Sequence, residues 1–69
     1  MYQSGNQPQT VRITRREKEV LQLIANGYSS KEIADRLFIS THTAINHRKN
    51  LILKYKAKNT AHLIMKAFN

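Results

Sequence analysis

The chain has 69 residues and no cysteine, and twelve lysines and arginines face four acidic residues for a formal net charge of +8. This length gives one small domain, and the lack of thiols excludes a disulfide framework and a thiolate metal site. No apolar run reaches membrane-spanning length and no secretory signal is visible, so we expect a soluble, cytoplasmic protein without a membrane partner.

The positive charge is concentrated in the second half of the chain. Residues 1–36 contain all four acids and six bases, a net charge of +2, whereas residues 37–69 contain six bases and no acid, a net charge of +6. A segment with one sign of charge repels itself unless it lies beside a polyanion. A solubilising surface is the alternative, but the exclusion of acids from one whole half favours a nucleic-acid partner.

The first predicted helix follows a polar N-terminal segment. Residues 1–12 are aperiodic and rich in Gln, Ser, Gly and Asn, which predicts a flexible tail or linker before a folded domain of residues 13–69. Thr14 and Glu17 have the spacing of a capping box, which predicts a helix start. Val20, Leu21 and Ile24 then share one apolar face, and Asn26-Gly27 predicts the helix end.

Three further helix starts follow. Ser29 and Glu32 form a second capping box, Ser40 predicts a third N-cap, and Asn59 predicts a fourth. The helices they open are a short one, a longer one from about Thr41 to Tyr55, and a last one from Thr60 to about Phe68. Their predicted core residues are Ile33, Ala34 and Leu37; Ala44, the stem of His47 or Arg48, Leu51 and Tyr55; and Leu63, Ile64, Ala67 and Phe68. No segment alternates with period two, so we predict an all-α fold of four helices with no sheet.

The second and third predicted helices match the helix-turn-helix unit, which consists of a short helix, a tight turn and a longer helix. Ala34 provides a small residue where the helices cross, Ile39 an apolar plug in the turn, and Ala44 a small residue that faces back. The N-terminal half of the longer helix would then meet base edges in the major groove of double-stranded DNA. The side chains that it offers are Thr41, His42, Ile45, Asn46 and Lys49.

Together these motifs resemble the LuxR/FixJ/GerE-type DNA-binding domain of bacterial transcription regulators over about residues 13 to 68. The matching residues are Ile13-Thr14-Arg15-Arg16-Glu17, Val20-Leu21-x-Leu23-Ile24-Ala25-x-Gly27, Lys31-Glu32-Ile33-Ala34, Leu37-Phe38-Ile39-Ser40, Thr43, His47, Lys54 and Lys58-Asn59-Thr60-Ala61. The resemblance implies the C-terminal effector domain of a response regulator or a similar two-domain protein. The chain departs from the family pattern at five positions, namely Ala44 for Val, Ile45 and Leu53 for polar residues, Lys56 for Gly, and Thr60 for Arg.

The predicted DNA-contacting residues fall into two groups. For base edges we predict Ile45 on a thymine methyl group, Asn46 on adenine and Lys49 on guanine. For phosphates we predict hydroxyl, ring and cationic side chains along and beyond the same helix, namely Thr41, Thr43, His47, Arg48, Lys54 and Lys58. The alternatives are an ordinary solvated helix face, simple capping by the threonines and a core role for His47.

The last helix has apolar residues on more than one face. The resemblance implies a weak homodimer through this helix, with Ala61 and Met65 at the interface; the alternative is that its apolar residues all serve the small core. We predict no enzyme activity, catalytic residue, metal site, cofactor or small-molecule ligand, because no catalytic constellation or ligand set is visible. Two other classes remain open: a protein-interaction module that keeps the fold, and the DNA-contacting part of a recombinase or sigma-like subunit.

Overall fold

The structure, a computed structural model, describes residues 11–68 and contains four helices. They are α1 (Arg15–Ala25), α2 (Ser30–Leu37), α3 (Thr41–Lys54) and α4 (Thr60–Phe68), and no strand occurs within residues 11–68. The predicted all-α fold is therefore confirmed. Residues 1–10 of the predicted tail lie outside the described residues.

Each helix begins at the residue that the sequence predicted. The Thr14 hydroxyl accepts from the Glu17 N–H at 3.0 Å, and the Glu17 carboxylate accepts from the Thr14 N–H at 2.9 Å. Ser29 and Glu32 repeat this reciprocal pair at 3.2 and 2.8 Å. Ser40 Oγ accepts from the N–H of Thr43 at 3.0 Å and Asn59 Oδ1 from the N–H of His62 at 2.8 Å, so all four predicted N-caps are confirmed.

Three helices end with the same backbone motif. A residue with positive φ closes each one: Gly27 at 93° after α1, Phe38 at 58° after α2 and Lys56 at 54° after α3. The next N–H then bonds to the carbonyl five residues back, in the pairs Tyr28 to Leu23, Ile39 to Ala34 and Ala57 to Ile52, at 2.9–3.1 Å. This is a Schellman ending, and the residue that donates the bond packs against the core in each case.

Eight buried apolar residues from all four helices form one core. They are Val20, Leu21 and Ile24 of α1, Ile33 and Ala34 of α2, Ala44 and Leu51 of α3, and Leu63 of α4. The helices α2 and α3 pack on each other, α1 lies against both, and α4 contacts α1 and α3. The inward position of Ala34 and Ala44 is as predicted for a helix-turn-helix crossing.

One predicted core residue is not in the core. Phe68, the last residue of α4, is 48% exposed, whereas Leu63 of the same helix is completely buried. Ile64 and Ala67 are half-buried and pack against the cluster as expected. The centre of the core therefore lies beside the first turns of α4, and the end of the helix extends beyond it.

Lys56 has an unfavourable backbone conformation, because its φ of 54° is in the left-handed region that suits glycine. That conformation costs an L-residue roughly 1–2 kcal/mol. We expect Lys56→Gly to raise the free energy of unfolding by about 1 kcal/mol and the melting temperature by about 4–8 °C. Thermal unfolding followed by circular dichroism measures this.

The matched control is Lys58→Gly, which removes the same charge from an exposed residue whose φ is negative. We expect this variant to be no more stable than the wild type. Equal stabilisation by both substitutions would contradict the explanation, because the gain would then come from the lost charge.

Candidate nucleic-acid interface

The solvent face of α3 is set by the residues that anchor its other side. Ala44 and Leu51 are buried, 1% and 0% exposed, and turn their side of the helix towards α1 and α2. The residues at three- and four-residue spacing on the opposite side are exposed, namely Thr41, His42, Ile45, Asn46 and Lys49. The three residues predicted to contact bases therefore share one accessible face, within the first three turns of the helix.

The N-terminus of α3 differs electrostatically from those of α1 and α2. The first turn of α1 contains Glu17 and that of α2 contains Glu32, whereas α3 has no acid in its first turn. Its capping network is neutral: Ser40 Oγ accepts from the Thr43 N–H and donates its proton to Thr43 Oγ1 at 2.9 Å. The positive end of the α3 dipole is therefore left without a negative side chain in that turn, which favours an external anion such as a phosphate.

The residues predicted to contact phosphates occupy different environments. Thr41 and Lys58 are exposed, and Thr43, His47 and Arg48 are half-buried along the flanks of α3. Lys54 has a partner within the protein, because its Nζ lies 2.7 Å from Oε1 of Glu17. DNA contact by any of these residues stays a prediction.

The pair of Glu17 and Lys54 links the start of α1 to the end of α3. Glu17 is only 4% exposed. Burial alone would raise the pKa of its carboxyl group, but the Lys54 ammonium and the bonds from Thr14 outweigh burial and hold that pKa below the ordinary value of 4.5. The carboxylate is thus ionised at neutral pH, and one oxygen accepts from both the Thr14 N–H and Lys54.

Sequence reasoning missed this pair. It assigned Glu17 only to the cap and Lys54 only to a phosphate, since the two residues lie 37 positions apart and no local motif connects them. The sequence contains a weaker indication of the pair. Glu17 in the first turn of α1 and Lys54 in the last turn of α3 are opposite charges, and each lies beside the apolar face of its helix.

The outer surface of α4 contains the residues predicted for a dimer interface. Ala61 is exposed, Met65 is 57% exposed, and Phe68 extends the apolar surface at the end of the helix. Dimerisation stays a prediction.

Within residues 11–68, no helix is long and apolar enough to cross a membrane. No group of three or more His, Asp or Glu side chains in that range is arranged to hold a metal ion.

The crossing of α2 and α3 and the turn in which Ile39 packs against the core define a helix-turn-helix domain, the class of fold that DNA-binding regulators use. A family model described as bacterial regulatory proteins, luxR family, matches residues 11–67. The chain belongs to that family, as its sequence motifs predicted.

Two similar proteins carry the name oxygen regulatory protein NreC. The one from Staphylococcus carnosus (strain TM300) is 39% identical over 61 residues, which are 88% of this chain and 28% of that protein. The one from Staphylococcus aureus (strain JH9) is 40% identical over 52 residues, which are 75% of this chain and 24% of that protein. The chain thus spans about a quarter of the length of these relatives.

Proposed function

We propose that this chain binds specific sites in double-stranded DNA through α3 and serves as the C-terminal effector domain of a response regulator or a similar two-domain transcription regulator. The observation that carries the proposal is the outer face of α3, where Ile45, Asn46 and Lys49 are exposed together while Ala44 and Leu51 hold the opposite side in the core. Membership of the luxR family supports it, as do the relatives named as regulatory proteins.

The chemistry of the three side chains suits the edges of bases. An asparagine amide can donate and accept in one plane and so pair bidentately with adenine, a lysine ammonium can donate to guanine, and an isoleucine can pack on a thymine methyl group. All three lie in the first three turns of α3, the part of a recognition helix that enters the major groove.

Phosphate contacts would position the helix in the groove. The N-terminus of α3 and the hydroxyl groups of Thr41 and Thr43 are suited to binding a phosphate of one DNA strand. Further hydrogen-bond donors to phosphates along and beyond the helix are His47, Arg48, Lys54 and Lys58. A phosphate would have to share the Lys54 ammonium group with Glu17 or compete with it, because Glu17 Oε1 lies 2.7 Å from Lys54 Nζ. Lys58, which is exposed, is the simpler candidate.

In the cell we propose a cytoplasmic protein that forms a weak homodimer through the outer face of α4. The exposed residues Ala61 and Met65 support this arrangement, and an operator with two half-sites would bring two copies together.

Base reading and phosphate positioning predict different effects of substitution. We expect Asn46→Ala and Lys49→Ala each to cost roughly 1–3 kcal/mol on a preferred site, and much less on a scrambled duplex. Lys58→Ala should weaken both duplexes alike and lower the salt slope by about one unit. The preferred site is selected from random duplexes, and fluorescence anisotropy at several salt concentrations gives the affinities.

Asn50→Ala is the matched control for Asn46→Ala, because it removes the same amide from an exposed position one turn further along α3. It should leave the discrimination between the two duplexes nearly unchanged. Equal losses on both duplexes for the Asn46 and Lys49 variants would show that these residues do not read bases.

A second candidate function is a protein-interaction module that keeps the fold. The observation that favours it is Leu53, 73% exposed on the solvent side of α3 where the family has a polar residue. Salt separates the two functions, because DNA affinity falls steeply with salt as Lys and Arg displace condensed counterions. Binding to a protein partner with little salt dependence, and no binding to any duplex, would support the second.

A further inference from the structure

Phe38, in the turn between α2 and α3, is 94% exposed, the highest value among the large apolar residues of the described chain. It also has a φ of 58°. The apolar contact that a Schellman ending provides comes from its neighbour Ile39, which packs against the core. The side chain of Phe38 therefore contributes little to the packing of the fold.

The backbone at this position favours another residue type. Left-handed φ values are uncommon for bulky side chains and are readily adopted by Gly and Asn, and α1 ends with Gly27 in the equivalent place. Strained backbone of this kind concentrates at functional sites. An exposed aromatic ring on such a backbone points to a contact with a partner.

The position of Phe38 identifies the partner. It lies two residues before Ser40, the N-cap of α3. Three residues of extended chain span no more than about 11 Å, so Phe38 lies within that distance of Thr41, where the helix begins. When the N-terminal half of α3 occupies the major groove, this turn lies at the edge of the groove, beside a sugar–phosphate strand. The charge agrees on the α3 side of the turn, since residues 36–68 contain no acid, and Asp35 in the last turn of α2 is the nearest acidic residue in the sequence.

We propose that the Phe38 ring packs against deoxyribose groups on the sugar–phosphate strand that borders the major groove. The contact extends the α3 interface on its N-terminal side and is independent of base sequence. It rests on the proposed function, because it requires α3 to lie in the groove.

The decisive variant is Phe38→Asn, because fold and binding should change in opposite directions. Asparagine tolerates the left-handed backbone, and little packing is lost, so the melting temperature should rise by about 5 °C. Affinity should fall about tenfold on the preferred and on the scrambled duplex alike, which corresponds to about 1.4 kcal/mol. The salt slope should stay unchanged, since no charge is removed.

Two further variants complete the test. Phe38→Tyr keeps the ring and should bind DNA like the wild type. Lys56→Gly relieves the same kind of strain at the end of α3; it should also raise the melting temperature, but any change in affinity should appear as a smaller salt slope. Of these three variants, only Phe38→Asn should weaken binding to both duplexes without changing the salt slope.

Three results would overturn the proposal. If Phe38→Asn bound DNA as tightly as the wild type, the ring would not contact DNA. A protein surface would then be the remaining kind of partner for the ring. A loss confined to the preferred duplex would assign the ring to a base. A lower melting temperature would show that the ring stabilises the fold. If the wild type bound no duplex at all, the proposed function itself would fail, and that result differs from each of these three.

Discussion

Leu51→Ala is expected to destabilise the domain by roughly 2–5 kcal/mol, which approaches the whole stability of a domain of this size. Leu51 is 0% exposed and lies where α3 packs on the rest of the core. Its loss leaves a cavity beneath the recognition helix, and the surrounding helices relax only partly. Urea unfolding followed by circular dichroism measures the change, and DNA affinity should fall in proportion to the unfolded fraction.

Leu53→Ala provides the matched control in the same helix. It is the same substitution two residues later, at a side chain that is 73% exposed, so we expect a change within about 0.5 kcal/mol. Similar losses for the two variants would mean that α3 is rotated relative to the described packing, and the assignment of its outer face would then be wrong as well.

The second large effect is expected at the pair of Glu17 and Lys54. Lys54→Met keeps the apolar stem but leaves a carboxylate that is 4% exposed without its cation. Breaking a fully buried pair costs roughly 3–5 kcal/mol. Because the Lys54 side chain is 38% exposed, we expect a smaller loss, about 2 kcal/mol.

The pH dependence identifies the cause of that loss. Since the folded-state pKa of Glu17 lies below 4.5, its contribution is fully present above pH 4.5 and is lost as the pH falls through the folded-state pKa. The stability difference between the wild type and Lys54→Met should therefore shrink in that acidic range. Adding Glu17→Gln to Lys54→Met should restore part of the stability at neutral pH, because an amide can still accept from the Thr14 N–H without leaving a charge. A difference that is independent of pH would show that the lysine stem, and not its charge, is what matters.

The local features of the fold could be predicted from the sequence because their causes are local. A hydroxyl or amide at Thr14, Ser29, Ser40 and Asn59 satisfies N–H groups two or three residues away, so spacing alone finds the four helix starts. The end of α1 was equally visible, because Gly27 fits the left-handed position. The endings at Phe38 and Lys56 were not, since neither residue type favours the conformation that the following apolar residue imposes on it.

The candidate site could be predicted as a face but not as a set of interactions. Helical periodicity, with Ala44 and Leu51 inward, places Ile45, Asn46 and Lys49 outward, and the structure agrees. The pairing of Lys54 with Glu17 depends on how α1 crosses α3, which no local pattern encodes. The exposure of Phe68 could not be predicted from a local pattern either. Its apolar side chain predicts burial, but α4 extends beyond the core at this residue.

The shared oxygen of Glu17 also determines where the chain enters the domain. Because it binds both the Thr14 N–H and the Lys54 ammonium, the segment leading into α1 is tethered at the C-terminal end of α3. The 14 residues of α3 span about 20 Å, so this tether point lies one helix length away from the turn that contains Phe38. Val11, the first described residue, therefore lies beside Lys54 and Tyr55, about one helix length from the end of α3 that is proposed to enter the groove.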